Sequence, residues 1–190
     1  MTLTYKTIGA AVCGAAVLMA VATLRAQTAE AFTATAAVKG AGGASATAPV
    51  TINVDRKMSQ GEADKLAAAF KAGGAAALRK ALAGVPPTGT VRIGTQPATP
   101  TRITIERTTA AGRLLTIVTD QPLLFVGAGL PGAKSQAGYD FAVIDIEVDA
   151  KGGGSGTIAP AAKIKMNGNA FVVEDYGVEA VRLTAVKKTK

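Results

Sequence analysis

The chain of 190 residues has no histidine and no tryptophan, and its one cysteine, Cys13, stands near the N-terminus. Each absence removes a chemistry. Without imidazole there is no histidine base for a serine or cysteine triad. The usual zinc, copper and haem ligand sets are missing too. A single thiol cannot close a disulfide within the chain, so a domain made from it must be held by its core. Aromatic residues are few, five Phe and three Tyr, and no row of them offers a stacking platform. Carboxylates, lysine and tyrosine are what remain for acid–base work.

Positive charge, by contrast, is in excess: 21 Lys and Arg against 13 Asp and Glu give a formal net charge of +8. The basic residues are scattered, apart from the tail Lys187-Lys188-Thr189-Lys190. Scattered charge favours solubility and weak attraction to anionic surfaces over nucleic-acid binding, which needs a clustered patch. No nucleic-acid partner is expected.

The N-terminus does not read as domain sequence. Residues 1–6 (MTLTYK) carry one positive charge, residues 8–24 (IGAAVCGAAVLMAVATL) carry none, and Ala29-Glu30-Ala31 fits the A-x-A pattern of a signal-peptidase site. Together they predict a signal peptide over residues 1–31 and a periplasmic or secreted protein with no stable membrane span after cleavage. The rival is an N-terminal membrane anchor, because 17 uncharged residues lie at the short limit of a spanning helix. Lipidation at Cys13 fits poorly, since Val12 precedes it and most of the apolar stretch follows it. Cleavage would remove Lys6, Arg25 and Glu30, a net +1, and leave +7 on a chain without cysteine.

Residues 32–49 are small and polar and read as a flexible lead-in, with residues 33–38 able to pair as an edge strand. A single domain over residues 50–190 is expected to follow. Val50, Ile52 and Val54 alternate with polar residues as a half-buried strand does. Ser59 and Glu62 then form a capping box, and Leu66, Phe70, Leu78 and Leu82 share a helical grid broken by Gly73-Gly74. Gly84 and Pro86-Pro87 end the helix. Beyond residue 90 the period is two: strands are expected at residues 91–94, 101–108, 113–119, 141–148, 163–166, 170–173 and 181–186. The turns expected between them include a flexible loop at 151–156 (KGGGSG) and a type I′ hairpin at Asn167-Gly168. The fold class expected is α+β, an antiparallel β-sheet in a barrel- or sandwich-like meander with one broken helix packed on it.

Four motifs invite chemistry. Residues 123–134 (LLFVGAGLPGAK) contain G-x-G-x-x-G, the dinucleotide spacing, with Asp145 and Glu147 near where a ribose-binding acid belongs. Only eight residues separate Gly132 from the strand at Phe141, too few for the crossover helix, so a glycine-rich turn is expected and no cofactor. Asp145, Glu147 and Asp149 suggest calcium, but Ala150 and Gly156 stand where the loop needs glycine and an acid, so no metal site is expected. Glu106 or Glu174 against Asp140 or Asp175 could form the acid pair of a glycosidase, though nothing sets their separation. Arg102, Arg107 and Arg113 could gather round an anion, and pairing with Glu106 and Asp120 accounts for them equally.

The runs VTINVDRKMS, GYDFAVIDIEVDA and AFVVEDYGVE resemble stretches of small exported bacterial proteins recorded only as uncharacterised. The likeness covers the chain from about Val50 onward. It implies export and a compact domain, and it brings no site residues. The function expected is therefore an exported, non-enzymatic binding or structural module of the periplasm or cell exterior, with no catalytic residues assigned. Its partner would be an anionic envelope component or another exported protein. Two alternatives stand beside it: a carboxylate-dependent hydrolase of an envelope polymer, and a β-barrel carrier of a small apolar ligand.

Overall fold

Among the described residues, ten strands and one helix arise from the two periods of the sequence. In chain order they are β1 (Glu30–Lys39), β2 (Ser45–Val54), α1 (Gln60–Leu82), β3 (Gly89–Ile93), β4 (Thr99–Thr101), β5 (Ile103–Thr108), β6 (Arg113–Val118), β7 (Phe141–Val148), β8 (Gly153–Asn167), β9 (Ala170–Tyr176) and β10 (Val181–Lys188). The computed structural model describes residues 29–39, 45–123, 137–168, 170–176 and 180–190. The glycine motif at residues 127–132 and all of the leader except residues 29–31 lie outside these.

The strands form one sheet in the order β4-β3-β2-β1-β10-β8-β7-β6-β5, with β9 added on β8. All its pairings are antiparallel. Its two end strands, β4 and β5, are one stretch of chain divided only by Arg102, whose amide donates to Val118 O at 2.8 Å. The sheet thus comes round to its own starting point as a nearly closed barrel. It is not a plain meander, because β10 is inserted between β1 and β8 and seats the C-terminal strand beside the N-terminal one.

Of residues 32–49, the described ones, 32–39 and 45–49, are not a lead-in. They make β1 and the start of β2, paired without a break from Glu30↔Val54 to Lys39↔Ser45, and β1 is an interior strand, held by β2 and β10. The physical reason is side-chain size. Phe32, Ala34, Ala36 and Ala46 all point inward, and three of the four are alanines. Alanine gives almost no period-two hydrophobic signal, yet it fits a narrow barrel interior.

The stretch 151–156 is not a flexible loop either. The turn closes at residues 149–152, and β8 is already paired with β7 at Gly154↔Val148 and Gly156↔Ile146. A Cβ on Gly154 would lie 1.9 Å from the Glu147 carbonyl oxygen, and one on Gly156 2.3 Å from that of Asp145. Glycine here permits close approach of two backbones. At the β8–β9 hairpin Asn167 pairs with Ala170, so the turn begins at Gly168 (φ 62°), one residue later than the Asn-Gly signal suggests.

Helix α1 follows the sequence closely. Its first turn carries the capping box, with Glu62 N donating to Ser59 Oγ and Ser59 N donating to Glu62 at 2.8 Å. It breaks at Gly73 (φ −154°) and Gly74 (φ 63°), and the halves on either side present Leu66, Leu78 and Leu82 to the sheet.

Two apolar clusters result. One fills the barrel, with Phe32, Ile52, Leu115, Ile117, Ile144, Ile146, Ile158 and Leu183 at 0–1% exposure among its members. The other lies outside the barrel wall under α1, where Leu66, Leu78 and Leu82 meet Ile103, Phe141, Val143, Ile164 and Phe171. The first half of β7 serves both, Ala142 and Ile144 facing in while Phe141 and Val143 face the helix. That is why FAVI reads as a continuous apolar run.

Near the β4–β5 corner three hydroxyls are buried together. Thr104 donates to Thr88 at 2.9 Å and Thr88 meets Thr101 at 3.0 Å. The Thr88 amide donates to Thr101 O, and its carbonyl accepts the amides of Asp55 and Arg56. Thr88→Val removes the shared partner of two buried hydroxyls and should cost about 1–3 kcal/mol in urea unfolding. Replacing all three threonines by valine should cost less than the sum of the single changes, because no hydroxyl is then stranded.

In β10 the inward residues are Val181, Leu183 and Val186, so the period slips by one. The slip is a bulge in the pairing with β8 between Leu183 and Val186, and it holds Ala185 at φ 51°. Left-handed backbone at a residue with a Cβ costs about 1 kcal/mol. Ala185→Gly should therefore leave stability unchanged or raise it, against the usual loss on introducing glycine into a strand. Thermal unfolding of the variant is the check.

Candidate functional site

Two surfaces concentrate charge, and they differ in kind. The first is an ion cluster at one end of the barrel. Glu30 opens β1 in phase with the inward Phe32, so its carboxylate is turned towards the interior and is only 7% exposed. A buried carboxylate needs cations and hydrogen bonds to remain charged. Arg113, the first residue of β6, supplies a two-pronged contact, Nη1 to Oε2 and Nη2 to Oε1, both 2.9 Å. Lys188, near the end of β10, reaches Oε1 at 2.7 Å, and Lys57, from the β2–α1 connection, reaches Oε2 at 3.3 Å. Glu106 of β5 closes the cluster, 2.8 Å from Arg113 and 2.6 Å from Lys57. The Arg113 guanidinium also lies 5.8 Å from the Phe32 ring centroid.

Burial alone would push the Glu30 carboxyl up. Hydrogen bonds from Arg113 and Lys188 and the charges of Lys57 and Arg113 overcome it and hold the group at about 2. Glu106 is lowered in the same way, burial opposing and Lys57 and Arg113 prevailing. Beside the cluster runs an open groove of about 630 Å³, walled by the turns at 108–113 and 149–152 and by Lys188.

The second surface is the outer face of β3, β2, β1 and β10. Ladder partners run across it from Arg92 to Thr51, Thr33 and Lys187. Neighbouring rows join Thr35 to Thr184, and Ala37 to Arg182 and on to Thr157 of β8. Thr33, Thr35, Thr47, Asn53, Arg92, Arg182, Thr184 and Lys187 are exposed. Within these four strands no outward-facing described residue is acidic. The described side chains of this face offer hydroxyls and three cations, Arg92, Arg182 and Lys187.

The residues singled out from the sequence are mostly kept apart. Asp145 accepts from Thr116 at 2.6 Å, Glu147 from Thr109 at 2.7 Å, and Asp149 from the amides of Lys151 and Gly153. Each acid closes a local contact. Among the described residues no group of three or more His, Cys, Asp or Glu could hold a metal ion. Glu106 lies in the ion cluster, whereas Asp140 pairs with Arg79 of α1 at 3.2 Å. Asp175 accepts from Tyr139 at 2.5 Å, which pushes that phenol up, and Glu174 is exposed on β9. Arg102 pairs with Asp120 at 2.8 Å, so pairing across the hairpin accounts for it, whereas Arg113 meets Glu106 but makes its two-pronged contact with Glu30 of β1. The two arginines stand at opposite ends of the β5–β6 hairpin, while Arg107 lines a separate cavity of about 280 Å³ with Gln60 and Phe171.

Glu30, Lys57 and Lys188 were not among the site residues expected from the sequence. Glu30 was assigned to the leader, although its spacing to Phe32, Ala34 and Ala36 was the available signal. Compared with known proteins, the chain matches no family model, no curated protein and no solved structure.

The ion cluster sets the acid limb of stability. Glu30 falls from an ordinary 4.5 to about 2 on folding. Its contribution is thus complete above about pH 5 and lost as pH falls through 4.5 towards 2. A shift of that size is about 3 kcal/mol. Glu30→Gln should be less stable by about that amount at pH 7 and should show a flatter decline between pH 5 and 2, measured by denaturant unfolding across pH.

Proposed function

We propose that the protein is an exported binding module of the periplasm or cell exterior whose partner is an anionic component of the envelope. The observation that carries this reading is the outer face of β3, β2, β1 and β10, where Arg92, Arg182 and Lys187 stand among hydroxyls with no carboxylate beside them on those strands. Such a face attracts acidic groups by charge and satisfies them with Oγ and guanidinium donors. The barrel is the rigid support that keeps the rows in register.

The carboxylates favour binding over hydrolysis. A two-acid hydrolase needs one group kept protonated near neutral pH while the other is charged. Glu30 and Glu106 share their cations and are both pulled down. The side chains packed inside the barrel likewise favour recognition on the outside over carriage of an apolar ligand within.

The test is retention on a polyuronate, an acidic polysaccharide, with neutral dextran as control. Retention should be specific to the acid, should weaken as salt is raised, and should fall roughly tenfold or more in a variant carrying Arg92→Glu, Arg182→Glu and Lys187→Glu. Equal retention of that variant, or none by the parent at low salt, rejects this face. Turnover of an envelope polymer that is abolished by Glu106→Gln rejects the binding module altogether.

A further inference from the structure

Glu30 and Ala31 belong to the folded barrel. Besides the ion contacts of Glu30, the Ala31 amide donates to Lys190 O at 3.3 Å, and its carbonyl accepts Thr189 N at 2.8 Å and Thr189 Oγ1 at 3.2 Å. A leader cut after Ala29-Glu30-Ala31 would take all of this away. It would leave Arg113 and Lys57 beside Glu106, take from Lys188 its contact with Glu30, and place a new α-ammonium on Phe32. Three cations against two carboxylates would become four against one at a partly buried position.

A second observation comes from the leader's own sequence. The apolar core of a signal peptide spans about 7–15 residues and leads to a small-residue site. Residues 8–19 (IGAAVCGAAVLM) are twelve residues, with Lys6 ahead of them and Ala20-Val21-Ala22 immediately behind. A cut after Ala31 would leave twelve residues, 20–31, between that core and the scissile bond, with the charged Arg25 and Glu30 among them.

We propose that the leader is cut between Ala22 and Thr23, after the small-residue triplet Ala20-Val21-Ala22, so that Glu30 is the eighth residue of the mature chain and pins β1 to β6 and β10. The inference rests on the export reading and adds to it the processing site. The mature N-terminus then carries TLRAQTA ahead of β1, and its ammonium lies away from the ion cluster along the chain.

The experiment is intact-mass analysis of the full chain expressed in a bacterial host and recovered from the periplasm or the medium. A mass beginning at Thr23 is expected. A mass beginning at Phe32, or at any other internal residue, overturns the assignment. A chain that keeps Met1 in those fractions overturns the cut alone, whereas a chain found only in the cytoplasm overturns the export reading, which separates the two failures. Ala22→Tyr should accumulate as precursor while Ala29→Tyr is processed as the parent is, and the reverse pattern moves the cut to Ala31. In a second measurement, a chain made to begin at Phe32 should melt roughly 10 °C below one made to begin at Thr23. Equal melting temperatures would show that Glu30 is dispensable to the domain and remove the physical reason for the upstream cut.

Discussion

A carboxylate drawn into the end of a barrel governs this structure. Glu30 is almost out of water, and a charge so placed is tolerated only where the surrounding groups replace the lost hydration. The replacements come from widely separated parts of the chain: Lys57 before the helix, Arg113 at the start of β6, Lys188 close to the C-terminus. Their convergence requires β1 to lie beside β10 and both to lie near the β5–β6 hairpin. The electrostatic demand of one side chain and the closure of the sheet are therefore the same constraint. In a chain without a disulfide, the strand ladder and these ion pairs together hold the two ends to each other.

Closure also places demands on side-chain volume and backbone approach. A barrel wall formed by β1, β2, β10, β8, β7 and β6 must curve tightly enough to bring β4 and β5 to a common corner. Alanines at 34, 36, 46 and 142 admit the larger Phe32, Ile144 and Ile146 without overfilling the interior. Glycines at 154 and 156 let β8 come down onto β7, and the bulge at Ala185 lets β10 keep Val186 inward after the strand has turned. These devices act at different points along β8 and β10, the strands that complete the circle between the N-terminal and C-terminal hairpins.

How far the sequence disclosed this depended on how loudly each residue speaks. The helix was legible to its cap and its break, because Ser59, Glu62 and Gly73-Gly74 each have one structural meaning at that spacing. Strand β7 was legible because its second half sets Ile144, Ile146 and Val148 in alternation with Asp145 and Glu147. Strand β1 was not, since alanine and threonine alternate there with little contrast in hydropathy. The glycines of β8 signalled mobility by composition, while their use is steric, and sterics depend on a neighbouring strand that composition does not reveal. Of the charged residues, Arg113 and Glu106 could be paired from hairpin register alone. Glu30 could not, because its partners are set by the long-range pairing of β1 with β10 and by a loop 27 residues downstream.

The same pairing distributes the protein's excess charge. At the barrel end, cations are matched to carboxylates and largely neutralised. Across the outer face of β3, β2, β1 and β10, the ladder neighbours of Arg92, Arg182 and Lys187 are Thr51, Ala37, Thr157, Thr33 and Gly153 rather than acids. The acids Asp145 and Glu147 begin only on β7, one strand beyond β8. A chain with a net charge of +8 could have spread its cations evenly among its anions. Here the register keeps acids off one broad face, and a face of that kind is stable alone yet gains most when an anionic surface is laid against it. Without imidazole, and with the one thiol of the chain at Cys13, charge and hydroxyl geometry are the polar chemistry that the register concentrates on those strands.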